Sequence, residues 1–350
     1  MERKRNNLAG QMKAKVAGNS TAPLKKKKKM HGNTEQMIST GSTLLDLAIS
    51  GGRVEGGGIP GGILVEIFGP SGTGKTVLLC ELAGSIARQN GEIMFKDPEA
   101  RLNKQFAKLF DLDIEQIDYE VVNTVPEVFE PIRTWEPKRK GLIHGVFADS
   151  LAALSTDWEM EGKDQYGMRR AKEFSEQLRK TCRTLTKKNM LMVCSNQVRE
   201  NLDAGPYGQK WVSPGGVAIG FYSSLRLRMM GGEKLTKEKS VKGKKYKRKI
   251  GITTNVEVFK SSVDRPFRIA PVTILFDYGI DDIRENLKFV KSLTGAKTYE
   301  VRGEKMHSTL DEAIAIVEES GLVEELKNET IELWTMLEGN FDSHRKPKIR

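Results

Sequence analysis

The chain has 350 residues, 38% hydrophobic and 29% charged, enough for one large domain and a small one around a sizeable core. No apolar run reaches the roughly 18 residues of a membrane-spanning helix, and the charged opening Met1–Arg5 leads into no apolar stretch, so a secretory signal is excluded. Cys80, Cys182 and Cys194 are odd in number and widely spaced, which excludes a disulfide framework or zinc site and fits a reducing, cytoplasmic setting, while a net charge of +11 suits a polyanionic partner.

The charge is unevenly spread. Met1 to Met30 holds ten Lys or Arg and one acid, so it carries +9 and leaves +2 for the rest. Residues 1–36 are read as a basic, largely flexible arm, with five lysines in a row at Lys25–Lys29. Such an arm suits nucleic acid or an anionic surface, or is only a solvated tail.

From Met37 the texture is globular. Ser42–Ile49 predicts a capped helix, and a glycine-rich loop follows to Gly62. Ile63–Phe68 reads as a buried strand, Thr76–Gln89 as a helix and Gly91–Phe95 as a strand. A helix near Leu102–Leu109, a strand at Asp118–Val122, a helix at Val125–Glu136 and a strand at Gly145–Ala148 continue the alternation. Gly167–Lys188 is a long amphipathic helix and Met190–Ser195 another buried strand. Strands are expected at Phe221–Met230, Lys249–Lys260 and Val272–Phe276, and helices after about Asp281. The fold class is α/β, with a mainly parallel sheet and antiparallel additions at one edge. The expected organisation is an arm (1–36), a core (37–280) and a small C-terminal domain with a basic tail (281–350). The insert Glu233–Lys249, with nine basic and two acidic residues, is expected to top a hairpin, as a DNA contact or a solvated tip.

One motif carries chemistry outright. Gly69-Pro70-Ser71-Gly72-Thr73-Gly74-Lys75-Thr76 fits G-x-x-x-x-G-K-[ST] between a strand and a helix. Its glycines let backbone N–H groups wrap a phosphate at a helix N-terminus. Lys75 is assigned to the β- and γ-phosphates and Thr76 to Mg²⁺, with Val77 completing the nucleotide site. Asp149 ends the apolar run Leu142–Asp149 and is the second Mg²⁺ candidate, although an acid there also serves as a helix cap. Glu99 follows the next strand; it is either the carboxylate that orients attacking water or a surface acid in a turn.

Several segments fall in one order: Met37–Ser42 with Leu45-Asp46, the phosphate loop, Asp97 and Glu99, and Asp149–Leu154. Ser195–Arg199, Gly215-Gly216 before Phe221-Tyr222, and Val258–Lys260 before Pro266-Phe267 follow. This set resembles bacterial-type RecA recombinases over residues 37–280. The resemblance implies a RecA-type P-loop ATPase core, ATP and Mg²⁺ as cofactors, and a helical filament on single-stranded DNA. It further implies homologous pairing and strand exchange with double-stranded DNA, with no membrane partner.

By the same resemblance Glu99, Lys75 and Gln197 are catalytic, Gln197 as a γ-phosphate sensor. Phe106 stands where an aromatic stacks on adenine, or is a core residue of its helix. Two DNA loops are implied, about 158–166 and 199–216, with Arg169, Arg170, Arg199, Lys210, Trp211, Gly215 and Gly216 as DNA-binding candidates. Lys260 matches a lysine that reaches the neighbouring subunit's ATP. The position of its companion lysine holds Ser262, and Arg265 is the nearest substitute. The family's N-terminal packing helix is replaced by the lysine-rich arm. The chain ends in Arg345–Arg350 without an acidic tail, which predicts easier DNA entry. Two other classes share single motifs: a ring-forming RecA-fold ATPase and a non-catalytic DNA scaffold.

Overall fold

The computed structural model describes residues 36–343 apart from 53, 55, 157–159, 161–167, 201–210 and 213–216, together with 345. Most of the basic arm, of both expected DNA loops and of the basic tail therefore lies outside the described residues.

Strand β1 (Met37–Ile38) pairs with β2 (Ile59–Pro60), and helix α1 (Thr43–Ser50) lies between them in sequence. The Ser42 side chain caps α1 by accepting from the Leu45 N–H, and Gly51 ends it at φ 65°, a left-handed turn that favours glycine. Next come β3 (Leu64–Gly69), α2 (Lys75–Arg88), β4 (Ile93–Lys96), α3 (Lys104–Lys108), β5 (Asp118–Glu120), α4 (Val125–Thr134) and β6 (His144–Ala148). A 3₁₀ turn (Leu151–Ala153) precedes α5 (Met168–Lys188) and β7 (Met190–Gln197). Short strands β8 (Arg199–Glu200) and β9 (Trp211–Val212) pair with each other before α6 (Val217–Tyr222). The long strands β10 (Leu225–Val241) and β11 (Lys244–Ser261) lead to β12 (Ile269–Leu275) and β13 (Gly279–Ile280).

One nine-stranded sheet runs in the order β13-β12-β11-β10-β3-β7-β6-β4-β5. Every pair from β10 to β5 is parallel, and β10 through β13 are antiparallel. This is the mainly parallel sheet with an antiparallel edge that the apolar runs predict. Its central strands read as continuous apolar stretches because both faces are covered. Val65 and Ile67 face the cluster built with α1 and α2 (Leu45, Leu78, Leu82), whereas Leu64 joins Phe129, Phe174 and Met192 on the side of α4 and α5.

Two expectations need correction or sharpening. Phe221 and Tyr222 close helix α6 and do not open a strand. Aromatic residues favour strands, but here the helical pattern runs on: Ser223 donates its N–H to Ile219 O at 2.9 Å and its hydroxyl to the same oxygen at 2.6 Å. The basic insert is the distal half of a hairpin, as expected. Lys242 and Gly243 turn it with φ 49° and 76°, and two positive φ values in a two-residue loop match the strands' twist. β3 pairs with β10 only over Leu225–Arg228, and β12 with β11 only over Gly251–Glu257, so Thr236–Lys249 project beyond the sheet and every one of these residues is exposed.

The C-terminal part comprises α7 (Asp282–Thr294), β14 (Tyr299–Val301), β15 (Glu304–His307), α8 (Leu310–Glu319) and α9 (Val323–Gly339). It has its own apolar cluster around Leu287, Val301, Val317 and Leu326. It is also tied to the sheet: Trp334 joins the main core, and Thr43 donates its N–H and hydroxyl to Asp282, each at 2.7 Å.

Candidate active site at the carboxyl ends of the parallel strands

The register brings the sequence candidates to one edge. Gly69 pairs with Gln197, Ala148 with Cys194, and Lys96 with Ala148. The phosphate loop, Gln197, Asp149 and Glu99 therefore leave β3, β7, β6 and β4 side by side at their carboxyl ends, where open α/β sheets hold ligands.

Gly74 caps α2 at φ 94°, and a Cβ there would sit 2.3 Å from Ile274 Cδ1. A Cβ at Gly69 would meet the Met229 carbonyl oxygen at 2.2 Å. The left-handed φ favours glycine at 74 and the backbone contact fixes it at 69. Lys75 is buried and donates to the carbonyls of Gly69 (2.9 Å) and Pro70 (2.7 Å). Burial pulls its pKa down, and the carboxylates of Asp149 and Glu99 hold it up.

Thr76 donates its hydroxyl to Asp149 Oδ2 at 2.6 Å, and Ser195 donates to Oδ1. Burial raises the Asp149 pKa, against the two hydroxyls. A hydroxyl and a carboxylate at the phosphate loop form the hard-oxygen donor pair that Mg²⁺ takes together with phosphate oxygens, so these residues fit the ion.

Glu99 is the most contacted of the candidates. Its Oε1 accepts from Ser150 Oγ at 2.8 Å and from Gln197 Nε2 at 3.3 Å, and Arg101 lies 2.6 Å from Oε2. Buried Asp97 holds the turn beneath it, accepting from the N–H groups of Glu99 (3.2 Å) and Leu102 (2.9 Å) and from the Tyr119 hydroxyl (2.9 Å). Burial first, and Asp97 second, push the Tyr119 pKa up to about 12.

Sequence reasoning missed Ser150 and Ser195, whose contacts reach across 51 and 46 residues of chain, and Arg101, which meets Glu99 two residues before it. It also missed the buried pair behind the site. Glu66 is fully buried; Arg226 donates to it at 2.6 Å and Asn196 at 3.0 Å, and the guanidinium lies 4.5 Å over the Phe68 ring. An acid inside an apolar strand is a visible signal that a partner must exist, but it does not say which residue.

Other candidates stand apart from the loop. Phe106 is half-buried and packs edge-on against Phe110 at 5.1 Å. Lys260 donates to the Gly220 (2.9 Å) and Phe221 (3.0 Å) carbonyls, and burial lowers its pKa. Arg170, expected to meet DNA phosphates, donates to the carbonyls of Leu151 (3.1 Å) and Ala152 (2.8 Å). Those carbonyls face the first turn of α5, and a guanidinium satisfies two at once. Arg265 pairs with Asp342 at 2.5 Å. Lys210, Gly215 and Gly216 lie outside the described residues, as do the side chains of Arg169, Arg199 and Trp211.

The sequence that builds this edge has known counterparts. The family described as RecA N-terminal domain matches residues 7–281. Protein RecA of Delftia acidovorans is 32% identical over 302 residues, covering 84% of this chain and 77% of that protein. Protein RecA of Thermus aquaticus is 33% identical over 252 residues, 71% of this chain and 69% of that protein. The chain belongs to the RecA family. Within that family frame, the family match begins at residue 7 and so includes most of the basic arm, while it stops where α7 begins.

Proposed function

We propose that the protein is an ATP-driven DNA recombinase that works through the edge formed by Lys75, Thr76, Glu99, Asp149 and Gln197. It assembles as a helical filament on single-stranded DNA, hydrolyses ATP and exchanges strands with homologous double-stranded DNA. One observation supports the site assignment: Glu99, after β4, is held by Ser150 from the end of β6 and by Gln197 from the end of β7.

Lys75 exchanges two carbonyls for the β- and γ-phosphates. Mg²⁺, when bound, neutralises phosphate charge beside Thr76 and Asp149. Glu99 orients water for in-line attack and accepts its proton. The Gln197 amide can leave Glu99 for a phosphate oxygen, and the chain passes from it directly into Arg199 on β8. Occupancy of the ATP edge thereby acts on the segment that follows, the expected second DNA loop.

Lys260 cannot serve its own phosphate loop. It pairs with Arg226, which pairs with Glu66, three residues before Gly69. That separation is two strand spacings, about 10 Å, across the sheet and about 10 Å along it. A role in the neighbouring subunit's site fits this position. The free thiols Cys80, Cys182 and Cys194 suit a reducing cytoplasmic setting.

The test is ATP hydrolysis with Mg²⁺, with and without single-stranded DNA, over a salt series. Strong stimulation that fades with salt is expected. Equal rates with and without DNA at low salt overturn the reading.

A further inference from the structure

The projecting half of the β10–β11 hairpin has two chemically different faces. Over Thr236–Val241 and Lys244–Lys249 the register is unbroken: Lys237 faces Arg248, Lys239 faces Tyr246, and Val241 faces Lys244. Side chains alternate across a ribbon, so these six share one side. On the other side Glu238 lies between Lys245 at 3.1 Å and Lys247 at 3.3 Å and offsets their charge. The first side has no acid. Its four cations surround Tyr246, which is 44% exposed, and Val241, which is 53% exposed, and the Arg248 guanidinium lies 6.0 Å from the Tyr246 ring centre.

This composition works against the hairpin. Like charges directly opposite one another destabilise a strand pair, and an isolated two-stranded ribbon is marginal already. An acid such as Glu238 relieves the repulsion on one face and is withheld from the other. A merely solubilising face has no reason to leave an aromatic ring and a valine in water. Cations around an exposed ring are instead what a nucleic-acid backbone needs: charge to displace its counterions, and apolar surface against sugar or base.

We propose that the face carrying Lys237, Lys239, Lys244 and Arg248 around Tyr246 binds the phosphate backbone of duplex DNA. The proposal rests on the recombinase reading, which requires the protein to engage a duplex. Six paired residues extend roughly 20 Å, and a two-stranded ribbon fits the major groove. A single ring on this face provides one stacking platform, which favours backbone contact with a duplex over serial stacking of a single strand.

The experiment uses the full chain and two charge-matched variants, Lys237→Gln with Lys244→Gln, and Lys247→Gln with Lys249→Gln. Duplex binding is measured by fluorescence anisotropy over a salt series, and ATP hydrolysis stimulated by single-stranded DNA is measured on the same preparations. The first variant is expected to bind duplex roughly tenfold more weakly, with a log–log salt slope shallower by about 0.9 for each phosphate it no longer neutralises. The second is expected to bind nearly as wild type, and both to retain stimulated hydrolysis. Equal weakening of both variants overturns the proposal, because charge alone then explains binding. Undiminished duplex binding by the first variant overturns it too, as does tighter binding of an RNA duplex or an acidic polypeptide to this face. A wild-type protein whose hydrolysis ignores single-stranded DNA removes the recombinase reading, a failure separable from that of the hairpin face.

Discussion

The Thr76 hydroxyl donates to Asp149 Oδ2 at 2.6 Å, which joins the first turn of α2 to the end of β6 across 73 residues of chain. The bond holds the two oxygen donors together at the phosphate loop. Thr76→Val keeps the shape and removes the hydroxyl. Nucleotide affinity in the presence of Mg²⁺ is expected to fall roughly tenfold, with little change in EDTA, as read by titration of a fluorescent ATP analogue. An equal loss with and without Mg²⁺ rules out the metal role.

Glu99→Gln preserves the size of the side chain and leaves the carbonyl oxygen to accept from Ser150. Phosphate release is expected to fall by roughly 10²–10⁴. Filaments on single-stranded DNA with ATP, seen by electron microscopy, are expected to persist. Turnover near wild type assigns the base elsewhere.

Lys260 and Glu99 are expected to meet only across a subunit boundary. Lys260→Ala and Glu99→Gln proteins are each expected to be inactive alone, while a mixture contains interfaces with an intact Glu99 facing an intact Lys260. In random equimolar filaments about a quarter of the head-to-tail interfaces are of this kind. Recovery of that order in the ATPase rate supports action in trans, and a mixture as inactive as its parts refutes it.

Arg170 donates to the Leu151 and Ala152 carbonyls, directly after Asp149 and Ser150. Arg170→Met keeps the stem and loses both bonds. Destabilisation by about 1–3 kcal/mol is expected in a denaturant titration at unchanged slope. If stability is unaltered while DNA affinity drops, the residue contacts DNA after all.

Asp46 is fully buried, accepts from Ser39, from the Thr40 N–H and from the Thr40 hydroxyl, and faces Asp282. Burial outweighs these donors and raises its pKa from 3.8 to about 7. The folded state thus binds the proton more tightly than the unfolded chain. Its contribution to stability is full below about pH 4 and is lost as pH rises toward 7. Thermal melting of the nucleotide-free protein is expected to show this decline between about pH 4 and pH 7, and Asp46→Asn to flatten it. An unchanged pH profile in the variant excludes Asp46 as its source.

Most of the site is legible because its parts are local or sit at strand ends. The phosphate loop is eight contiguous residues whose glycines dictate their own backbone. Asp149 ends an apolar run and Glu99 follows one by a short turn, and parallel strands bring such ends to one edge. Phe221 and Tyr222 misled because an aromatic pair suits a strand and a helix end equally, and only the hydrogen bond from Ser223 to Ile219 separates the two.

By itself the sequence determined the strand–helix alternation, the phosphate loop and the carboxylates proposed for the site, since these follow from periodicity and from residue types at fixed local spacing. Only the tertiary structure decided that Arg170 binds carbonyls, that Ser150 and Gln197 both hold Glu99, that Arg226 answers Glu66 from 160 residues away, and that one hairpin face keeps all its charge. A charged side chain is indifferent in sequence to which partner satisfies it. Strand register and packing, which place distant residues within a few ångströms, make that choice.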